Sequence, residues 1–141
     1  MKEQGTTYSE ANKAVVRRFI EEYQNGRREE TARELIADDF IDRSPIGNFA
    51  PDKVGVISMH NMLFAAFGDL KAEIQDQIAE DDRVATRKRF RGTHTGEFMG
   101  VAATGRPVEI GVIDILRVRD GKLAEHWCQV DFAGLMGRIT A

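Results

Sequence analysis

The chain places an aspartate and a histidine where neither is ordinary. Asp114 lies between Ile113 and Ile115 in VEIGVIDILRVR, and His126 lies in KLAEHWCQV, the next apolar segment. Both segments read as β-strands. A carboxylate buried in a strand without a partner is costly, or is driven toward its neutral form. A histidine on the neighbouring strand removes that cost. Such a pair suits acid–base chemistry at the floor of a pocket. It suits equally a buried hydrogen bond that only orients the hairpin.

Whether the two residues meet depends on the turn between them, RDGK (Arg119 to Lys122), a strong hairpin signal. A two-residue turn at Asp120-Gly121 sets Asp114 opposite Trp127. A three-residue loop with a glycine bulge sets Asp114 opposite His126 and Val112 opposite Cys128. One residue of slip turns one strand over relative to the other. The bulged register is preferred because it collects Val112, Asp114, Leu116, His126, Cys128 and Val130 on one mostly apolar face. Ile113, Ile115, Trp127 and Gln129 then share the outer face.

The other chemically capable residues rank below this pair. Arg87, Arg89 and Arg91 alternate on one strand face, with Lys88 and Phe90 facing the other way. Such an arginine row is usually solvated or paired, although Arg89 could hold a developing enolate. Asp42 and Arg43 stand where the chain leaves its second helix, and His60 sits on the third. All three are secondary candidates for substrate contact, with Val112 and Cys128 as apolar lining. His94, in GTHTG, reads as a loop brace. Asp131 directly precedes FAGLM and reads as a helix cap. Nothing beside Cys128 in sequence marks it as a nucleophile. No HExxH, Cys/His cluster, GxSxG or strand-to-helix GxGxxG is present, so metal, serine-hydrolase and dinucleotide chemistry are unsupported.

The elements that must position these groups fall in two blocks. With 141 residues, 42% of them apolar, the sequence suits one domain with one core, spanning residues 1–141. Ser9 is read as the N-cap of a helix reaching Asn25, with Gly26 at the position after its end. A second helix is expected over 28–37, then a short extended piece at 40–45, then a third helix from Pro51 or Asp52 to Phe67. Four strands follow, with a glycine-bearing loop over 95–106, and DFAGLMGRI closes as a short helix. Helices first and strands after imply an α+β fold, three N-terminal helices on a curved, mostly antiparallel sheet. A net charge of −3 argues against nucleic acid, and no apolar run is long enough for a membrane span. One cysteine and no apolar leader fit a cytoplasmic protein.

The second half resembles the SnoaL-like polyketide cyclase (ester cyclase) family of the NTF2-like superfamily. The resemblance is carried by GTHTGEFMGVAATGRPVEI, DILRVRDGKLAEHW and DFAGLMGRI, with weaker support from ADDFIDRSP and AAFGDL. It implies a cone, in which a curved sheet wraps helices around an apolar cavity. It also implies cofactor-free and metal-free aldol cyclisation by an aspartate with a supporting histidine and glutamine. Cys128 stands where those cyclases carry the aspartate, Asp114 where they carry the histidine, and Val112 where they carry the glutamine. Arg43 stands where many relatives carry histidine. Asp114 and His126 are then a relocated pair with the same physical task.

The expected function is a cofactor-independent cyclase, isomerase or lyase acting on an apolar aromatic or polyketide-like carbonyl compound. Asp114 would be the base, and His126 its partner or acid. Alternatives are a non-catalytic binder of a small hydrophobic ligand, and a cofactor-free hydroxylase or epoxide hydrolase. A homodimer through Ile113, Ile115 and Trp127 on the outer sheet face is also expected.

Overall fold

The computed structural model describes residues 2–141, and side chains from Tyr8 onward. Helix α1 (Lys2–Arg18) continues without a break into a wider, π-helical segment over Phe19–Asn25. Val16, Phe19, Ile20 and Tyr23 are buried, so the stripe expected from the sequence faces the core. The helix begins at Lys2, which places Ser9 in its interior and not at its cap. Gly26 keeps a helical backbone, and the left-handed residue after the helix is Arg27 at φ 58°.

Helix α2 (Glu29–Leu35) runs straight into strand β1 (Ile36–Asp42), which is longer than the short piece expected at 40–45. Helix α3 (Lys53–Ala66) starts at Asp52, whose carboxylate accepts the Gly55 N–H at 2.9 Å. This is ordinary N-capping. Gly55 has no alternative, because a Cβ there would overlap the Ala50 carbonyl. Four strands follow: β2 (Lys71–Glu80), β3 (Arg83–Thr93), β4 (Pro107–Arg119) and β5 (Lys122–Val130). Helix α4 (Phe132–Thr140) closes the chain, a fourth helix beyond the three N-terminal ones. None of the described helices is long and apolar enough to cross a membrane.

The five strands form one sheet in the order β1-β5-β4-β3-β2. Neighbours are antiparallel except β1, which runs parallel to β5. The inner face of the curved sheet carries Val84, Phe90, Val108, Ile110, Val112 and Leu116, all buried against the helices. The outer face leaves Ile113 and Ile115 exposed. This is the alternation of a sheet covered on one side only.

The β4–β5 hairpin takes neither register as drawn from the sequence. Arg119 pairs with Lys122, so the turn is the two-residue form, with Asp120 at φ 52° and Gly121 at φ 73°. Positive φ at both central positions is what that tight turn demands. A bulge follows at once: Val118 pairs with Leu123 and Arg117 with Glu125, so Ala124 is extra. Leu123 and Ala124 are both buried, as consecutive residues at a bulge can be. The extra residue returns Asp114 and His126 to one face, as expected. Their direct partners differ from the expectation, however. Asp114 faces Cys128, His126 faces Leu116, and Val112 faces Val130. Asp114 and His126 are therefore diagonal neighbours.

Candidate functional site

A line of charged side chains crosses the inner face on four adjacent strands. Asp42 ends β1, His126 lies on β5, Asp114 on β4 and Lys88 on β3. Asp42 and His126 are register partners, which places a carboxylate beside the imidazole. Asp42 Oδ1 is 3.1 Å from His126 Nδ1. On the other side of the ring, His126 Nε2 is 3.5 Å from Asp114 Oδ2. Asp114 Oδ2 is in turn 3.2 Å from Lys88 Nζ, with both residues under 5% exposed. The signs alternate −, +, −, +, so the buried charges cancel as a group. Buried charges persist only when paired in this way.

The line continues onto the helices. Lys88 Nζ donates to Gln24 Oε1 at 3.1 Å. Gln24 Nε2 donates to His60 Nε2 at 3.0 Å, and His60 Nδ1 donates to the Val56 carbonyl at 2.9 Å. These partners fix one tautomer, with the His60 proton on Nδ1. Gln24 belongs to the π-helical segment, and such widened turns often serve functional positions.

The titration behaviour follows from this arrangement. Burial by itself would raise the Asp114 carboxyl, but the Lys88 charge and His126 outweigh it and hold the group below its ordinary value. Burial likewise opposes ionisation of Asp42, and the His126 contacts and the Ser44 amide prevail. His126 is the converse case. Burial disfavours its cation, yet Asp114, Asp42 and the Cys128 contact lift its pKa well above 6.5. His60, buried without a carboxylate in contact, is pushed down to about 4. The resting site thus holds two carboxylates, one imidazolium and one neutral imidazole.

An apolar cavity opens against this line. Its volume is about 90 Å³, where one ordered water takes roughly 10–15 Å³. Gln24, His60, Lys88, Asp114 and His126 supply its polar wall, and Phe19, Phe40, Phe90, Phe98 and Phe132 part of its apolar wall. Asp114 Oδ1 is buried and has no hydrogen-bond partner among the described residues. A second, shallower space shares Ile46, Cys128, Val130 and Phe132 with the cavity and adds Met99. The entrance therefore lies between the 44–47 segment, Met99 and the start of α4. Phe98 and Phe132, both in the cavity wall, stack with centroids 6.4 Å apart.

The expected site residues divide cleanly. Asp114, His126, Val112, Cys128 and His60 line the cavity. Asp42 stands just behind His126 and braces the entrance by accepting the Ser44 N–H at 2.9 Å. Arg89 is not in the site. It lies on the outer face and pairs with Glu109 at 2.8 Å, because odd-numbered positions of β3 point away from the helices. Arg43 is also outside. It follows Asp42 on the opposite face and reaches Glu125 at 2.7 Å. Two residues were missed: Lys88, the inward neighbour of Arg89, and Gln24. Asp131 caps α4 through the Gly134 N–H at 3.0 Å. His94 braces the loop through Thr104 Oγ1 at 3.0 Å.

Comparisons with known proteins agree with this geometry. The sequence profile of the SnoaL-like polyketide cyclase family matches residues 14–139. No curated protein matches the chain. Among solved structures, the chain is similar to IdmH from Streptomyces antibioticus, provisionally assigned as a polyketide cyclase. That match has 35% identity and a TM-score of 0.81, and covers 92% of this chain and 99% of the other. It is similar also to AclR from Streptomyces galilaeus, provisionally assigned as a hydroxylase, with 29% identity, a TM-score of 0.84 and coverage of 94% and 82%. A SnoaL-like protein from Jannaschia sp. CCS1, at 22% identity, shares the fold with a TM-score of 0.85 over 94% of each chain. The chain belongs to the SnoaL-like polyketide cyclase family, within the NTF2-like fold.

Proposed function

We propose that the protein is an acid–base enzyme that closes or rearranges a ring on an apolar, polyketide-like carbonyl compound, using no organic cofactor. One observation carries the reading: Asp114 Oδ1 is a buried, unpartnered carboxylate oxygen on the wall of an apolar cavity, with an imidazolium beside it. In this reading Asp114 Oδ1 accepts a proton from the carbon next to a carbonyl. The C–H bonding pair becomes the enolate double bond, and the carbonyl π pair moves onto oxygen. The enolate carbon then attacks a second carbonyl of the same substrate. His126 Nε2 gives its proton to the alkoxide that forms, and the Asp114 proton returns through the imidazole. Asp42 holds the ring so that Nε2 faces the cavity.

The test is a panel of aryl ketones and β-diketones with the wild type and Asp114→Asn, read by product mass. Ring closure that falls about 10²–10⁴-fold in the variant supports the reading. Binding that is flat with pH, and no chemistry on any member, would make the protein a binder instead. The likeness to AclR favours a second reading, in which the same carbanion meets dioxygen. Incorporation of labelled oxygen into the product separates that reading from cyclisation.

A further inference from the structure

Lys88 is a long cationic side chain held almost wholly inside the sheet, 3% exposed, on the wall of the cavity. An ammonium has three N–H donors. One points at Asp114 Oδ2 at 3.2 Å and one at Gln24 Oε1 at 3.1 Å. The third has no acceptor among the described residues, and Nζ stands 5.4 Å from the centroid of the Phe90 ring, another wall residue. The free donor of Lys88 and the free acceptor Asp114 Oδ1 therefore belong to neighbouring groups on one wall.

The geometry points to Lys88 as the group that receives the substrate's carbonyl oxygen and stabilises the enolate, with Gln24 and His60 as positioning residues. The inference rests on the proposed proton abstraction by Asp114, and deepens it by naming the oxygen's partner. Before the step, Lys88 is the counter-ion of Asp114. As the proton moves to Asp114 Oδ1, negative charge leaves that carboxyl and arrives on the enolate oxygen. A single fixed cation then faces the charge at both ends of the transfer, so no new charge is buried. Preorganised donors of this kind act strongly in a water-poor site. His60 matters because it has no charge to repel Lys88. Its Nε2 is an acceptor, so Gln24 must turn its amide N–H toward it and its oxygen toward Lys88. The ligand class that follows is a neutral carbonyl compound that becomes an oxyanion, with a ring small enough to enter beside Phe90. The groups around Nζ are Asp114, Gln24 and, beyond them, His126, Asp42 and His60.

The probe is 4-nitrophenol, a phenol whose ionised form mimics an enolate and is coloured. Binding of its neutral and ionised forms is measured across pH in the Asp114→Asn protein, with and without Lys88→Met. Using Asp114→Asn throughout removes the competing carboxylate, and adding Lys88→Met to it removes both charges of the pair together. The expected result is a loss of phenolate affinity of at least about tenfold on adding Lys88→Met, with neutral phenol bound as before. Gln24→Leu in the same protein should reduce the phenolate-to-neutral ratio several-fold, which a merely structural role would not do. Equal phenolate affinity with and without Lys88→Met would overturn the inference, even if Asp114→Asn had abolished turnover. Lost phenolate binding together with retained turnover in Asp114→Asn would uphold Lys88 as the oxyanion partner and remove Asp114 as the base.

Discussion

Replacing Lys88 by methionine in the otherwise native protein should be among the most damaging single changes on the sheet. The substitution keeps most of the side-chain volume and deletes one charge. Asp114, 4% exposed, would then keep only His126 at 3.5 Å, and Gln24 Oε1 would lose its donor. Leaving one partner of a buried ion pair uncompensated costs roughly 3–5 kcal/mol. That is a large share of a total stability of about 5–15 kcal/mol. For a chain of this size it lowers Tm by about 10 °C or more. The double variant Lys88→Met with Asp114→Asn should recover most of the loss, since it removes both charges. The assay is urea unfolding of the single and double variants, followed by far-UV circular dichroism and by Trp127 fluorescence. A loss under about 1 kcal/mol for Lys88→Met, the size found for exposed pairs, would refute the claim that this ion pair is dry and coupled.

His126 should titrate well above 6.5, visible as a ring-proton shift by NMR, and Asp42→Asn should bring its midpoint down. The sign of the linkage is fixed by that direction. His126 is raised in the folded state, so its stabilising contribution is full below the unfolded value near 6.5 and is lost as pH rises through the folded midpoint. Asp42 and Asp114 are depressed, so their contribution is present above about 4 and is lost as pH falls through their folded midpoints. Unfolding curves across pH that lack both flanks would contradict the pairing. Gly55→Ala should destabilise by about 3 kcal/mol or more, because its Cβ meets the Ala50 backbone; a Tm unchanged within about 1 °C would count against that packing. Arg89→Gln, on the outer face, should leave ligand binding in the cavity unchanged.

How much of this could be read from the sequence depends on distance along the chain. The strands were visible because β3 and β4 alternate almost without exception, with Val84, Thr86, Lys88 and Phe90 inward on β3. The shared face of Asp114 and His126 was visible for the same reason. The bulge at Ala124 was not, because two buried residues in succession look alike in a tight-turn and an open-loop register. Asp42 was ranked only as a secondary candidate for substrate contact, since its place beside His126 needs the parallel β1–β5 pairing across 84 positions. Lys88 was read as facing away from the arginine row, but it was given no role. A signal was available, however. On a central strand, an inward lysine beside an inward phenylalanine must find a buried acid, and Asp114 was already in need of a cation. Gln24 gave a weaker signal, as a polar residue in line with Phe19, Ile20 and Tyr23.

In the proposed reaction Asp114 removes a proton next to a carbonyl inside the cavity. Its most direct test is deuterium uptake at the α-carbon of a small cyclic ketone in D2O, followed by NMR with the wild type and Asp114→Asn. Exchange above the buffer rate is expected for the wild type, falling by about a hundredfold or more in the variant. Exchange at the buffer rate with a ketone shown to be bound, or equal rates for the two proteins, would contradict it.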